Sequence, residues 1–553
     1  MATSKNYNLR LPSSLKARNC GLLNIAFSVL PLKTEVFTGS RIIWVVKMKI
    51  LMITSELESF AKTGGLADAV SALSIALANE GHDVRIVMPR YYRIDRKHLT
   101  ALPGTLTIHL NHHTVYTEVY TTTIKGTNIP VYFIDHEQSF GREGLYGSPF
   151  DPDFSDNPKR FSILCNAAFQ LCRKEAWFPD VMHAHDWQGA LIPALLKYKE
   201  SNNEFKETVS VFTIHNIGYQ GIYGKDNFPL TNIDWKYFYA AGFEDWDRIN
   251  FLKAGIISAD AITTVSPTYA QEIQTPAFGF RLDGVLRFRA DCLTGILNGI
   301  DTTVWNPKTD KFIQSNYSST NLAKKVENKY ALQRQFGLAE DAHVPVFGMI
   351  TRLADQKGIG ELFGPSYGSA FRVCSQIHLQ LIVLGSGEKW CEDELRALAS
   401  RLPNLKIYIG YNEALSHLIE AGSDFFLMPS KYEPCGLNQM YSLRYGTLPI
   451  VRRTGGLADT VENYNEKTGE GTGFVFDYLS PESIADTVGW AAYAWYNKKD
   501  HIEKMQIRGM KQDFSWKKSA QKYIQLYANT IEKKTGKKCS ITGEQAKKVK
   551  RQK

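Results

Sequence analysis

DFFLMPSKYEPCGLNQMYSLRYGTLPIVRRTGGLADTV, residues 424–461, is the stretch on which the reading of this chain turns. Phe425 to Met428 is an apolar run of strand length, closed by Pro429 and Ser430. Glu433 and Pro434 are expected to open a helix, because a first helical residue tolerates a missing N–H. Leu448 to Val451 reads as a second buried strand, and Thr454, Gly455 and Gly456 turn into another helix at Leu457. Strand, loop and helix, twice over, place two helix N-termini at the carboxyl ends of parallel strands. Open α/β sheets hold ligands in that crevice, and free N–H groups there suit a phosphate. Glu433 adds an acceptor for sugar or ribose hydroxyls, although it reads equally as an ordinary acid complementing a helix dipole.

A second copy favours the functional reading. KTGGLADAV (62–70) and RTGGLADTV (453–461) are near-identical, and each follows an apolar strand candidate and opens a helix. The glycine pairs, Gly64 with Gly65 and Gly455 with Gly456, let the backbone approach a ligand closely. The basic residue ahead of each loop, Lys62 in the first, supplies a countercharge. Two such loops at opposite ends of a chain suggest facing domains.

With these loops, HAHDW (183–187), TIHN (213–216), TRLADQKG (351–358) and EPCGLNQMYSLRYGTLPIVRR (433–453) resemble the bacterial glycogen synthases and plant starch synthases. Those are ADP-glucose-dependent glucan 4-α-glucosyltransferases, and the resemblance runs in order from Met48 to about Tyr527. It implies an α/β GT-B fold, two facing Rossmann-like domains with a cleft between them. It implies transfer of glucose from ADP-glucose to the non-reducing end of an α-1,4-glucan with retention of configuration. The expected layout is an extension over 1–47, a first domain over 48–296, a second over 297–508, a helix over 509–530 packing back on the first domain, and a basic tail over 531–553. The resemblance puts Asp186 and His215 around the transferring sugar, Tyr411 on the adenine, and Asn298 in the connection between domains. Asp186, His215, Arg352, Lys357 and Glu433 form the expected catalytic set. Lys62, Gly64, Gly65, Asn298, Tyr411, Cys435, Gly436, Thr454, Gly455 and Gly456 are the expected substrate contacts. ADP-glucose is a co-substrate, and neither a cofactor nor a metal is expected.

The residues support this chemistry to different degrees. Arg352 and Lys357, five apart at a strand's carboxyl end, can grip one diphosphate, the arginine as a planar fork and the lysine as a point charge. His183, His185 and His215 invite a zinc reading, against which no third ligand stands at a recognised spacing. Asp186 also reads as the N-cap of a helix beginning near Trp187. Cys435 is either a reactive thiol beside Glu433 or a small packing residue. Related transferases often carry a second glutamate where Tyr441 stands, a lapse the glycogen and starch synthases share, so front-face and double displacement both stay open. Gly360, Gly364, Pro365 and Gly368 predict a short or broken helix after TRLADQKG.

Composition bounds the alternatives. The chain has 553 residues, enough for two or three domains, and no apolar run long enough to span a membrane. Its net charge of +9 is concentrated at the ends, +6 over 1–47 and +7 over 531–553, which leaves the body at −4 and gives no nucleic-acid footprint. Eight cysteines without a CxxC pair suit free thiols in a reducing compartment, hence a cytoplasmic protein, or a plastid one if 1–47 is a transit peptide. A dispensable arm and an upstream start ahead of Met48 are the other readings of 1–47. The Lys-rich tail over 531–553 is expected to be disordered and solvated. Neither glycine loop gives GxGxxG, so a dinucleotide oxidoreductase fits poorly. Use of UDP-glucose, synthesis of sucrose or trehalose, and a non-catalytic sugar-nucleotide binder remain as alternatives. Oligomeric state is not legible.

Overall fold

A ten-stranded sheet and a six-stranded sheet each carry one half of the expected site. The computed structural model describes residues 47–148, 150–364 and 368–537. The readings offered for the N-terminal arm, Pro365 and the end of the basic tail therefore lie outside the described residues.

The first sheet runs in the order Leu293–Gly295, Ala261–Thr264, Val209–Ile214, Val181–His185, Lys49–Ile53, Asp83–Pro89, Pro130–Asp135, His113–Thr123 and Thr100–Ala101, with Leu106–Leu110 paired to His113–Thr123. Its first seven strands are parallel and the remainder antiparallel. The central strands are buried on both faces because helices cover both, as parallel sheets require. The chain proceeds from Lys49–Ile53 outward through Asp83–Pro89, then returns to Val181–His185 on the other side. That reversal is a topological switch point, where ligands bind at the strands' carboxyl ends. The KTGG loop leaves one of those strands and HAHDW ends the other.

The second sheet is all parallel, in the order Leu405–Ile409, Gln380–Gly387, Val346–Leu353, Phe425–Met428, Leu448–Arg452 and Phe474–Phe476. Its switch point lies between Val346–Leu353 and Phe425–Met428, which lead into Arg352–Lys357 and Glu433 respectively. The α/β architecture of two Rossmann-like sheets is the one expected.

Of three local expectations, two are corrected and one holds. The helix assigned to Glu433 and Pro434 begins at Asn438 and ends at Arg444, because Gly436 takes a left-handed φ of 70° and holds Glu433 to Leu437 as a loop. The segment after TRLADQKG is broken as expected, into Ile359–Phe363 and Ser369–Gln376. The closing helix spans Trp516–Thr535, entering the tail taken as disordered, because Ile531 continues its buried face. That helix packs on Gly65–Asn79 and on Val209–Ile214, with Tyr523 and Tyr527 buried. The outgoing and returning crossings lie side by side, since the Ile300 N–H donates to the Phe514 carbonyl at 2.8 Å. Among the described residues, no helix is long and apolar enough to cross a membrane.

Candidate active site

The KTGG loop is shaped by an acid that the sequence reading overlooked. Glu56, 3% exposed, accepts hydrogen bonds from the Thr63 N–H at 2.6 Å, the Thr63 hydroxyl at 2.5 Å, the Gly64 N–H at 3.3 Å and the Tyr146 hydroxyl at 2.7 Å. One carboxylate gathering these donors fixes the turn into the helix Gly65–Asn79. A side chain at Gly64 would meet nothing within 4 Å, and one at Gly65 only Leu437 of the second domain at 3.9 Å. The space beside the two glycines is therefore open to a ligand, although the Gly64 N–H is itself taken by Glu56. Lys62 is half-exposed and rests on Asp68 at 2.6 Å, whose carboxyl is raised by burial against the opposing pull of Lys62.

At the other strand of this switch point, both ring nitrogens of His183 have partners, Nδ1 at 2.8 Å from the Tyr527 hydroxyl and Nε2 at 2.6 Å from Thr213 Oγ1. His185 Nδ1 lies 3.1 Å from His215 Nε2. Burial drives His183 and His215 down to about 3 and His185 well below its ordinary value, so all three are neutral at physiological pH. Among the described residues, no cluster of three or more His, Cys, Asp or Glu side chains is arranged to hold a metal ion. Asp186 is not the helix cap of one sequence reading, and the helix Asp186–Gly189 has no side-chain cap. The residue adopts a left-handed φ of 50°, and its Oδ1 accepts the His215 N–H at 2.7 Å. Holding an aspartate there costs on the order of 1 kcal/mol, and it aims the carboxylate at the loop after the neighbouring strand. Burial raises the Asp186 carboxyl to about 7, against the amides of His215 and Asn216.

In the second domain, Arg352 ends its strand with Nη1 3.3 Å from the Tyr219 hydroxyl and Nη2 3.0 Å from Gln356 Oε1. Tyr219 belongs to the loop of His215, so this guanidinium already bridges the two sheets. Lys357 Nζ meets Glu433 Oε2 at 2.5 Å, and the same oxygen accepts the Ser430 hydroxyl at 2.9 Å. The backbone N–H groups of Leu437, Asn438 and Gln439, beside this pair, make no hydrogen bond among the described residues. Tyr411 stands out from its strand end, 79% exposed. Asn298 is buried, with its backbone against the Cys435 thiol.

The second glycine loop departs from its expected role. The Gly455 N–H and the Thr454 hydroxyl donate to the carboxylate of Glu272, a first-domain residue, at 2.9–3.1 Å. The Gly456 N–H donates to the Glu433 carbonyl at 3.1 Å. The Glu272 contacts tie the two domains together, the Gly456 contact stays within the second, and all three donors are already occupied. Gly455 is required for another reason: its φ is 44°, and a Cβ there would collide with the Glu433 carbonyl oxygen. Reciprocally, Asp459 accepts the N–H and hydroxyl of Thr268 at 2.9 and 2.7 Å, so Pro267–Glu272 and Gly455–Thr460 cap one another across the cleft. Cys435 is the small packing residue of the two readings, since burial raises its thiol to about 12. Tyr441, half-buried, stands in a ring stack, 3.9 Å from Trp305, which in turn lies 4.0 Å from His417. Of the residues missed, Tyr219 lies just beyond the TIHN motif, in the loop that His215 opens, whereas Glu56 and Glu272 gave no signal in their neighbours.

Residues 49–288 match the family model described as starch synthase catalytic domain, and residues 333–506 match that of glycosyl transferases group 1. The chain is 67% identical to a glycogen synthase of Treponema denticola, over 88% of this chain and 99% of the relative. It is 44% identical to glycogen synthase 1 of Geobacter metallireducens, over 89% and 98%. The catalytic domain of starch synthase IV from Arabidopsis thaliana, bound to ADP and acarbose, superposes with a TM-score of 0.80 at 33% identity, over 88% of this chain and all of that one. A sucrose-phosphate synthase from Thermosynechococcus elongatus, 15% identical with a TM-score of 0.53, shares the fold over the same span. The sheets, their switch points and these likenesses agree: the chain belongs to the glycogen and starch synthase family of GT-B glycosyltransferases.

Proposed function

We propose that this chain transfers glucose from ADP-glucose to the non-reducing end of an α-1,4-glucan, with retention of configuration. One arrangement carries the reading: Arg352, Lys357 and Glu433 at the second sheet's switch point, with Arg352 reaching Tyr219 in the loop that His215 opens at the first. The difficult event is departure of a diphosphate with concentrated negative charge from a sugar that becomes cation-like. Arg352 and Lys357 take up that charge, joined by the amides at the start of Asn438–Arg444, while Lys62 and the open backbone at Gly64 approach from the opposite domain. His215 holds glucose hydroxyls as a neutral imidazole, and the Asp186 carboxylate stabilises positive charge at the anomeric carbon. Glu433 orients Lys357 and receives a hydroxyl of the donor. The relatives named above, glycogen synthases and a starch synthase that holds ADP and acarbose, support this assignment of substrates. We take the compartment to be the cytoplasm, in keeping with six free cysteines among the described residues.

Radiolabelled glucose should pass from ADP-glucose to glycogen, and far more slowly from UDP-glucose. Because protein cations and amides supply the countercharge, the rate should be unchanged in excess EDTA; a loss restored by a divalent ion would refute the metal-free grip. Tyr411→Ala should raise the KM for ADP-glucose about ten-fold, the loss of one stacked ring, with kcat little changed. An unaltered KM would remove Tyr411 from the adenine site.

A further inference from the structure

Two pairs of residues on the first domain hold aromatic side chains in an unfavourable backbone region at the surface. Trp246 and Asp247 have φ of 52° and 58°, and Phe280 and Arg281 have φ of 46° and 71°. Trp246 and Asp247 form the tip between the antiparallel strands Glu244–Asp245 and Arg248–Asn250. A two-residue hairpin of this kind asks for Asn-Gly, because both central residues must be left-handed. A tryptophan there costs on the order of 1 kcal/mol in strain and gains nothing from burial, being 80% exposed. Phe280 is 40% exposed under the same strain. Folding alone gives no reason for either.

The two pairs are tied to one another and to the cleft. Arg281 Nη2 donates to Asp245 Oδ2 at 3.0 Å, and the same oxygen accepts Asn250 Nδ2 at 3.1 Å. Asn250 Nδ2 also donates to Gln220 Oε1 at 2.7 Å, and Gln220 Nε2 donates to the Phe280 carbonyl at 2.8 Å. Asn250 is fully buried and Gln220 nearly so, so this closed ring of hydrogen bonds is rigid. Gln220 lies in the loop that starts at His215 and carries Tyr219, itself 53% exposed and bonded to Arg352. The Phe280 ring packs edge-on against Tyr432, next to Glu433, at 5.4 Å. The exposed rings thus begin at the mouth of the cleft and lead away over the first domain, flanked by Asp245, Asp247, Arg281 and Lys225, the last paired with Asp247 at 2.7 Å.

We propose that Trp246, with Phe280 between it and the cleft, forms an outer acceptor subsite on which the glucose rings of an α-1,4-glucan stack as the chain leaves the active site. Sugar rings present flat C–H faces to aromatic rings and hydroxyls to carboxylate and guanidinium groups, and this surface offers both. The inference rests on the glucan-transfer reading for the identity of its ligand. It adds that long acceptors are held by a second grip, away from the reacting end.

The test uses Trp246→Asn in the full chain, a change that places a left-handed-tolerant residue in the turn, so the variant should melt no lower than the unaltered protein. The dissociation constant for glycogen, measured by affinity electrophoresis without donor, should rise about ten-fold, the loss expected of one tryptophan anchor. Affinity for ADP and turnover on maltotriose, a short acceptor bound at its reacting end alone, should stay the same. Trp246→Phe should recover most of the glycogen affinity. Unchanged glycogen binding in Trp246→Asn overturns the subsite. So does a change confined to the sedimentation of the free protein, which would make the tip a contact between copies. Glucose transfer by the unaltered protein is read separately, so failure of the ADP-glucose reading and failure of the subsite give different results.

Discussion

Arg352→Ala should lower kcat by about a hundred- to a thousand-fold and leave folding intact, and Lys357→Ala should do the same to turnover at some cost in stability. In the proposed reaction each removes a charged donor to the departing diphosphate, and a preorganised donor of that kind contributes about that factor. The charge develops as the bond breaks, so the loss should fall on kcat, with KM for the donor little altered. The stability effects should differ because the surroundings differ. Arg352 is exposed, and its partners, the Tyr219 hydroxyl and Gln356, are neutral. Lys357 faces Glu433 in a largely buried pair, 20% and 8% exposed, so its removal strands a carboxylate. That should cost about 1–3 kcal/mol. Glu433→Gln in the Lys357→Ala background should restore the melting temperature and leave turnover low. Calorimetry and an ADP-release assay read the two effects apart. Turnover within ten-fold of normal in either single variant would end the diphosphate-grip account.

The strands that lead to Arg352, Lys357 and Glu433 were legible because burial on both faces writes a run such as Val346 to Ile350 or Phe425 to Met428 plainly into the sequence. The two switch points follow from the motifs at the strand ends, and the paired TGGLAD loops announced facing domains. What escaped is non-local. Gly455 and Gly456 sit in a loop built like that of Gly64 and Gly65, yet their amides are taken by Glu272 and by the Glu433 carbonyl. No local pattern says that an acid from the other domain will arrive there first. Glu56 does the equivalent work for the first loop, from within its own domain. Pro434 obeyed the rule for a helix start, and Gly436 overrode it by taking a left-handed turn two residues later. Asp186 obeyed the rule for an N-cap, and the amide of His215 on the adjacent strand's loop claimed its carboxylate. Local propensity placed elements to within a few residues. The hydrogen-bond partners were decided by which elements the sheets bring together.

Asp186→Asn should reduce turnover by about a hundred-fold or more while making the protein more stable above neutral pH. Asparagine keeps an oxygen to accept the His215 N–H, so the loop should hold its place and the loss should report the missing negative charge. The carboxyl is buried and raised to about 7, with burial the first cause and the nearby Glu56 adding to it, against an ordinary value of about 4. Between those two values the folded chain keeps a proton that the unfolded chain has released. The favourable contribution is therefore fully present below about pH 4 and is lost as pH rises through about 7. The difference converts to about 4 kcal/mol at most, and it vanishes in the asparagine variant. The melting temperature of Asp186→Asn relative to the unaltered protein should accordingly climb from pH 5 to pH 8. Activity runs the other way. If the ionised carboxylate faces the cation-like sugar, kcat should rise through about pH 7 in the unaltered enzyme. His183 and His215, held down to about 3, and His185, lower still, contribute no limb there. A rate profile from pH 5.5 to 9 that keeps its rising limb in Asp186→Asn would assign the titration to another group and return Asp186 to holding the loop alone.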